Sequence, residues 1–287
     1  MKKNIVLVLD FGGQYNQLIV RRIRDMGVYS ELIPYSASVE KIRSYAPSGI
    51  ILTGGPNSVF SADSLIMDPE ILNLGIPVLG ICYGAQLIAH LKGGIVKSAA
   101  TKEYGKCTMR SVPSLLFKGI PESSTVWMSH TDYVETPPAG CKVIATTDTC
   151  PVAAFEDESG PAYGVQFHPE VVHTEYGNQI LRNFLYEICR AEGDWTMKNF
   201  IGDMVDKIRK KVGDRKVLLA MSGGVDSAVA ATLMHRAIGK NLVCVLVDHG
   251  LMRKGEVEEV VKVFRDGLGM NLEAIDASDR FLSRLDG

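Results

Sequence analysis

The stretch Pro77-Val78-Leu79-Gly80-Ile81-Cys82-Tyr83-Gly84-Ala85-Gln86 sets the terms for the rest of the chain. An apolar run of strand length ends in a cysteine, glycines stand two residues to either side of it, and a helical pattern follows. Small flanks are what a sharp strand-to-helix turn demands, because a bulky neighbour would cover the side chain at its tip. The serine of many hydrolases is presented in this way. A cysteine at the start of a helix also feels the positive end of the helix dipole, which favours the nucleophilic thiolate. Taken alone, Cys82 fits a buried structural thiol equally well, since free cysteine is among the most buried residue types.

Working outward, the same strand–turn–helix grammar repeats. Residues 5–9 form a continuous apolar run, as expected of a parallel strand covered on both faces. The turn Asp10-Phe11-Gly12-Gly13 leads from it into a helix with Leu18, Ile19, Ile23 and Met26 on one side, stopped by Gly27. Further strands are expected at 30–34, 49–53 and 77–81, with a short helix at 39–45 and another from about 84 to 91. This alternation predicts an α/β unit built on an open, mostly parallel sheet, with ligands at the carboxyl ends of its strands. Gly54-Gly55-Pro56 and Cys82 then share one rim. Between 93 and 166 short segments separated by Gly, Pro, Ser and Asp read as added β-strands and hairpins, for example at 95–97, 106–109, 125–128 and 152–155. A strand at 163–167 runs into His168-Pro169-Glu170, and a helix is expected from about 175 to 189.

Near residues 190–197 the pattern stops and begins again. A helix at 198–211 precedes a strand at 216–221, the turn Ser222-Gly223-Gly224-Val225-Asp226-Ser227 and a helix from 228 to 238. Strands at 242–247 and 272–275, with helices at 256–268 and from 278, complete the series. The restart predicts two domains, 1–192 and 193–287. With two to three strands the second reads as an incomplete α/β domain.

Composition narrows the class. A hydrophobic content of 46% and a charged content of 22% over 287 residues suit a globular protein, and a formal net charge of -2 gives no basic field for nucleic acid or a membrane surface. No apolar run approaches the ~18 residues of a membrane span. No small-residue cleavage site follows Met1-Lys2-Lys3-Asn4, which argues against a secretory signal. The six cysteines form no Cys-x-x-Cys pair and no histidine sits at zinc-ligand spacing, so neither a disulfide scaffold nor a zinc site is expected from spacing. A cytoplasmic location follows from these readings.

His168 and Glu170 leave the end of a strand on one face, and Pro169 holds His168 extended. A histidine steadied by a carboxylate is the base-and-orienter half of a nucleophilic triad; the alternative is a surface turn. Gly54-Gly55-Pro56 offers backbone N–H groups to an oxyanion, or is an ordinary type II turn. The second loop is rich in Gly and Ser at a helix start and suits phosphate, but lacks the Lys-Ser/Thr of a Walker loop.

Together Gly80–Gln86, Gly54-Gly55-Pro56 and His168-Pro169-Glu170 resemble the class I glutamine amidotransferases over residues 1 to about 190. The resemblance implies Cys82 as nucleophile, His168 as its base and as the acid for departing ammonia, and Glu170 as orienter. It implies Gly55 and Tyr83 as oxyanion donors, with Gln86, Ser129 and His130 at the L-glutamine site. Residues 222–227 resemble the PP-loop ATP pyrophosphatases. That implies ATP binding by Ser222, Gly223, Gly224, Val225, Asp226, Ser227, Ala228 and Val247, with magnesium near Asp226 and no bound prosthetic group.

An amidotransferase joined to such a loop, with the stretches 247–256 and 275–282, is similar to the glutamine-hydrolysing GMP synthase family. The family's reaction aminates adenylated xanthosine monophosphate (XMP), in purine and GMP biosynthesis. The resemblance implies a homodimer in the full-length enzyme, with this chain a fragment lacking most of the XMP site. Amidotransferases serving other synthases lack the second loop, and a non-catalytic module has no need of Cys82, His168 and Glu170 together. His90, His235 and His173 read as packing, surface or loop residues. Cys107, Cys141, Cys150, Cys189 and Cys244 read as core or strand positions.

Overall fold

A computed structural model describes residues 5–285, without the side chains of residues 100–102. The N-terminal Met1–Asn4 and the last two residues lie outside the described part. The chain divides into two compact units, residues 1–195 and 196–287.

The first unit is organised by one nine-stranded sheet of order β2-β1-β3-β4-β9-β8-β7-β5-β6. Its parallel part comprises β1 (Ile5–Asp10), β2 (Tyr29–Pro34), β3 (Gly49–Leu52), β4 (Val78–Ile81) and β9 (Ala162–Val165). β3 and β4 are buried at every position and β1 at all but Asp10, the pattern of strands covered on both faces. Alternation then divides the core. Val6, Val8, Ile51, Leu79 and Ile81 enter one apolar cluster, while Ile5, Leu7, Leu9, Ile50, Leu52 and Val78 enter the other. Helix α1 (Asn16–Asp25) buries Ile19, Val20 and Ile23, and α2 (Val39–Tyr45) begins at Ser38, whose hydroxyl accepts the Lys41 amide at 3.2 Å. Helix α3 (Tyr83–Leu91) follows β4 directly and is buried from Tyr83 through Ala89.

The antiparallel part extends the same sheet. β5 (Ile95–Ser111) and β6 (Ser123–Thr136) are single long strands where short separate ones are expected from sequence. Polar residues on the exposed face and a register break between Ser98 and Glu103 make the pair look interrupted in one dimension. β7 (Cys141–Thr146) and β8 (Ala154–Asp157) close the gap to β9. The expected helix at 175–189 is α4 (Gly177–Asn183) continued by a wider π turn over Phe184–Ile188.

The second unit has a three-stranded parallel sheet, β10 (Val217–Met221), β11 (Leu242–Asp248) and β12 (Leu272–Asp276) in that order. Around it run α5 (Met197–Val212), α6 (Val225–Ile238), α7 (Glu256–Val260) with a π-turn extension to Gly267, and α8 (Ser278–Leu285). Helix α6 starts at Val225, three residues earlier than its apolar pattern suggests, so Val225, Asp226 and Ser227 form a first helical turn instead of a loop. Among the described residues no helix is long and apolar enough to cross a membrane.

Candidate active site

Four parallel strands end on one rim, and every sequence-predicted residue of the first unit gathers there or beside it. Register makes this so: Leu9 pairs Leu52, Leu52 pairs Gly80, and Ile81 pairs Val165, so the loops after β1, β3, β4 and β9 are neighbours. They surround a cleft of about 550 Å³ lined by Gly55, Cys82, Tyr83, Gln86, Ser129, His130, His168 and Glu170 among others.

Cys82 sits at the β4–α3 junction with φ 52° and ψ -105°. A positive φ is costly for a residue with a Cβ and persists only where the surroundings enforce it. Here its amide donates to the Val165 carbonyl at 2.8 Å, and α3 is pulled tightly against β3 and β4. A Cβ on Gly84 would lie 2.5 Å from the Leu52 carbonyl oxygen, and one on Gly80 would lie 2.5 Å from Gly84 backbone atoms. The flanking glycines therefore permit the close approach that holds the thiol in place. The Cys82 thiol points to the Ser129 carbonyl oxygen at 3.6 Å, and Gln166 Nε2 stands 3.7 Å from Sγ.

His168 and Glu170 form a pair with Nδ1 to Oε1 at 2.7 Å, both buried. The His168 carbonyl accepts Thr174 Oγ1 at 2.6 Å, and its amide donates to the Trp127 carbonyl at 3.0 Å, so the backbone under the ring is fixed. Tyr15 meets the ring edge-on with centroids 5.5 Å apart. Burial opposes charge on the imidazole, yet the hydrogen bonds to Cys82 and Glu170, with the Glu170 charge, hold His168 well above its ordinary value. Glu170 is fixed in turn through its carbonyl, which accepts Arg22 Nε at 3.2 Å.

Gly55 and Tyr83 line the cleft side by side, a Cβ on Gly55 falling 3.4 Å from Tyr83 Cγ. A Cβ on Gly55 would come within 2.6 Å of the Phe11 carbonyl oxygen, and Tyr83 opens α3, where helix geometry supplies no intrahelical carbonyl to the amide. Gln86 is buried at the cleft wall, with Nε2 donating to the Asp132 carbonyl at 2.6 Å. His130 is buried and paired through Nε2 with Glu103 at 3.0 Å. Sequence reading passed over Glu103, Gln166, Tyr15 and Asn16. Asn16 donates to Asp10 Oδ1 beneath the cleft, and Gln166 had a signal, standing two residues before His168 on the same strand exit.

In the second unit the Ser222–Ser227 turn folds on itself. Ser222 and Ser227 hydroxyls are 3.2 Å apart, and Ser227 Oγ donates to the Gly224 carbonyl at 2.9 Å. Gly223 has φ 80°, and a Cβ there would approach Glu256 Oε1 and Met252 Cε at 3.3 Å. Asp226 is exposed in the first turn of α6, and Val247 is part-exposed near the end of β11. His249 is engaged locally, its Nδ1 accepting the Leu251 amide at 3.2 Å.

Comparison with known proteins gives the family. The family model "Glutamine amidotransferase class-I" matches residues 7–188, and the NAD synthase family model matches 196–284. Over 286 residues the chain is 56% identical to a glutamine-hydrolysing GMP synthase of Macrococcus caseolyticus and 55% identical to that of Clostridium perfringens. It spans about half the length of these curated relatives, 56% in each case, while nearly all of this chain is covered. A solved structure from Thermoplasma acidophilum, described as one subunit of a GMP synthase, is 35% identical, with a TM-score of 0.60, over 65% of this chain and 94% of that one. The cysteine turn, the buried histidine–carboxylate pair and the matched span of sequence lead to one conclusion: the chain belongs to the class-I glutamine amidotransferase family.

Proposed function

We propose that residues 1–192 form a glutaminase domain in which Cys82, His168 and Glu170 release ammonia from L-glutamine. The observation that carries this reading is the Cys82 thiol, set at positive φ on a strand-to-helix turn in the same cleft as a buried His168–Glu170 pair. In this scheme the Cys82 proton passes to His168, and Sγ attacks Cδ of the glutamine side chain. The oxyanion is held by the Gly55 and Tyr83 amides. The C–N bond breaks as His168 returns the proton to nitrogen, and ammonia leaves. Water then attacks the thioester and frees glutamate and the thiol. Glu170 accepts from His168 Nδ1 throughout, which keeps Nε2 turned to the sulfur. Gln86, Ser129 and His130 contribute to the glutamine pocket.

Residues 193–287 are proposed as the N-terminal part of an ATP pyrophosphatase domain. Gly223 and Gly224 would let a phosphate approach the backbone closely once the Glu256 side chain swings aside, and the α6 start and the Ser222 and Ser227 hydroxyls would supply donors. Ala228 and Val247 would border the nucleotide. Asp226 offers an exposed carboxylate oxygen, the type of ligand Mg2+ takes, and would hold the ion beside the phosphates. The whole protein, by the names of its relatives, would be a glutamine-dependent ligase that adenylates XMP with ATP and aminates it to GMP, releasing AMP, pyrophosphate and glutamate. It would act as a cytoplasmic homodimer with no nucleic-acid partner, most of the XMP site lying outside this chain.

The test is covalent. A glutamine analogue with an electrophile in place of the side-chain amide is expected to alkylate Cys82 in one-to-one stoichiometry, read by peptide mass. Labelling at another cysteine, or none that glutamine suppresses, would remove the assignment.

A further inference from the structure

A second cluster of reactive groups lies beside the cleft, assembled by strand register. Glu103 on β5 stands opposite His130 on β6. His130 Nε2 is 3.0 Å from Glu103 Oε2, and Cys107, further along the same strand face, points its thiol at Glu103 Oε1 at 3.1 Å. From the segment after β7, Cys150 brings its sulfur in, so that donor atoms of Glu103, His130 and Cys150 all lie within 4.8 Å of one another. Thr149 Oγ1 and, at 3.5 Å, Thr147 Oγ1 also donate to Glu103 Oε1. The other ring nitrogen, His130 Nδ1, is buried with no hydrogen-bond partner among the described residues.

We propose that Glu103, His130, Cys107 and Cys150 form a binding site for a borderline-soft divalent metal of the zinc class. Glu103, His130 and Cys150 already bring three donor atoms together, and the Cys107 sulfur, 3.1 Å from Glu103 Oε1, would turn in as the fourth of a set of one carboxylate, one imidazole and two thiols, the mixture that tetrahedral Zn2+ takes. It is brought together from three segments under one wall of the cleft and is nearly closed to solvent, His130 and Cys150 being 5% and 0% exposed. On binding, each thiol forms an S–metal bond and loses its proton to solvent, and the imidazole proton, which faces the Glu103 carboxylate on Nε2, moves to Nδ1 so that Nε2 coordinates. The metal would tie β5, β6 and the 147–150 segment together next to Ser129, whose carbonyl accepts the Cys82 thiol.

Cys82 and His168 are themselves a thiol–imidazole pair able to take metal, so the experiment uses the full chain with Cys82→Ala. Titration with Co2+ is expected to give a thiolate-to-cobalt charge-transfer band saturating at one equivalent. Zn2+ should displace it, release protons in proportion to the thiols bound, and raise the melting temperature. Adding Cys150→Ser or Cys107→Ser should weaken binding at least about tenfold. Absence of the band, or binding unchanged by both serine substitutions, overturns the proposal. Should either serine variant lose the parent circular-dichroism spectrum, Glu103→Gln decides by the same titration, since it keeps an acceptor for His130 but removes the anionic ligand; unchanged affinity there also overturns it.

Discussion

The two units each turn from a parallel strand into a helix through glycines, yet the turns present opposite things. At Cys82 the helix is clamped so tightly that a Cβ on Gly84 would meet the Leu52 carbonyl oxygen at 2.5 Å, and the residue at the tip accepts φ 52°. At Ser222–Ser227 the positive φ falls on Gly223, and what a Cβ would meet is the far end of Glu256 and Met252 at 3.3 Å. The first turn is backbone packed on backbone and aims one side chain. The second is more open: Ser222, Gly224, Val225 and Asp226 are exposed, and its hydroxyls close the turn by bonding to one another and to its own amides. Glycine between strand and helix thus has two uses, and what lies against the missing Cβ tells them apart.

The sharpest way to break that contrast is at the tip of the first turn. Cys82→Ala should reduce glutamate release by at least about 10^4-fold, the scale on which losing a catalytic nucleophile acts, with the fold retained; glutaminase activity within tenfold of wild type would end the nucleophile assignment. Gly84→Ala tests the clamp. Its Cβ collides with main chain that cannot swing away, so unfolding in urea should show a loss of about 1–3 kcal/mol or more, and near-neutral stability would mean the β3–α3 packing is looser than described.

Glu170→Gln addresses the charge that helps to raise His168 above its ordinary value. Loss of the carboxylate should bring the His168 value down, so the acidic limb of the glutaminase pH profile, below which a protonated imidazole cannot accept the Cys82 proton, moves to lower pH. The sign for stability follows from the same shift. A histidine raised in the folded state stabilises most below its ordinary value, and that contribution fades as pH rises through the folded value. The variant should therefore lose more stability at mildly acidic than at alkaline pH, and a pH-independent difference would contradict the pairing. The smallest effect is expected in the second turn. Gly223→Ala should cost about 1–2 kcal/mol for its left-handed backbone and weaken Mg-ATP binding, while Asp226→Ala should weaken ATP binding only when Mg2+ is present. Equal binding with and without the metal in both proteins would dismiss Asp226 as its ligand.

What could be read from the sequence was what short-range sterics encode. Gly80 and Gly84 marked the turn because no other residue lets α3 approach β3, and the apolar runs of β1, β3 and β4 reported burial on both faces. The antiparallel half was harder. β5 and β6 looked like fragments because every second residue faces outward and a bulge interrupts their register. Glu103 was invisible for a related reason: it matters through His130, which lies opposite on another strand, and no spacing along one strand reports a partner across the ladder. The same limit applies to the cysteines. Linear spacing argued against a metal site, while pairing across strands collects a thiol, an imidazole and a carboxylate in one place, with a second thiol on the carboxylate.

The adjacency of β4 and β9 carries a consequence for the order of events during synthesis. Gln166 and Cys82 touch across a sequence separation of 84 residues, and His168 follows on the same strand exit. Contacts of that span must wait for the intervening chain and for closure of a long loop. A nascent chain that has emerged only as far as β8 holds Cys82 without His168. Cys82 meets His168 only when β9 slots in between β4 and β8, so the strand that completes the parallel half of the sheet is also the one that brings the imidazole to the cleft.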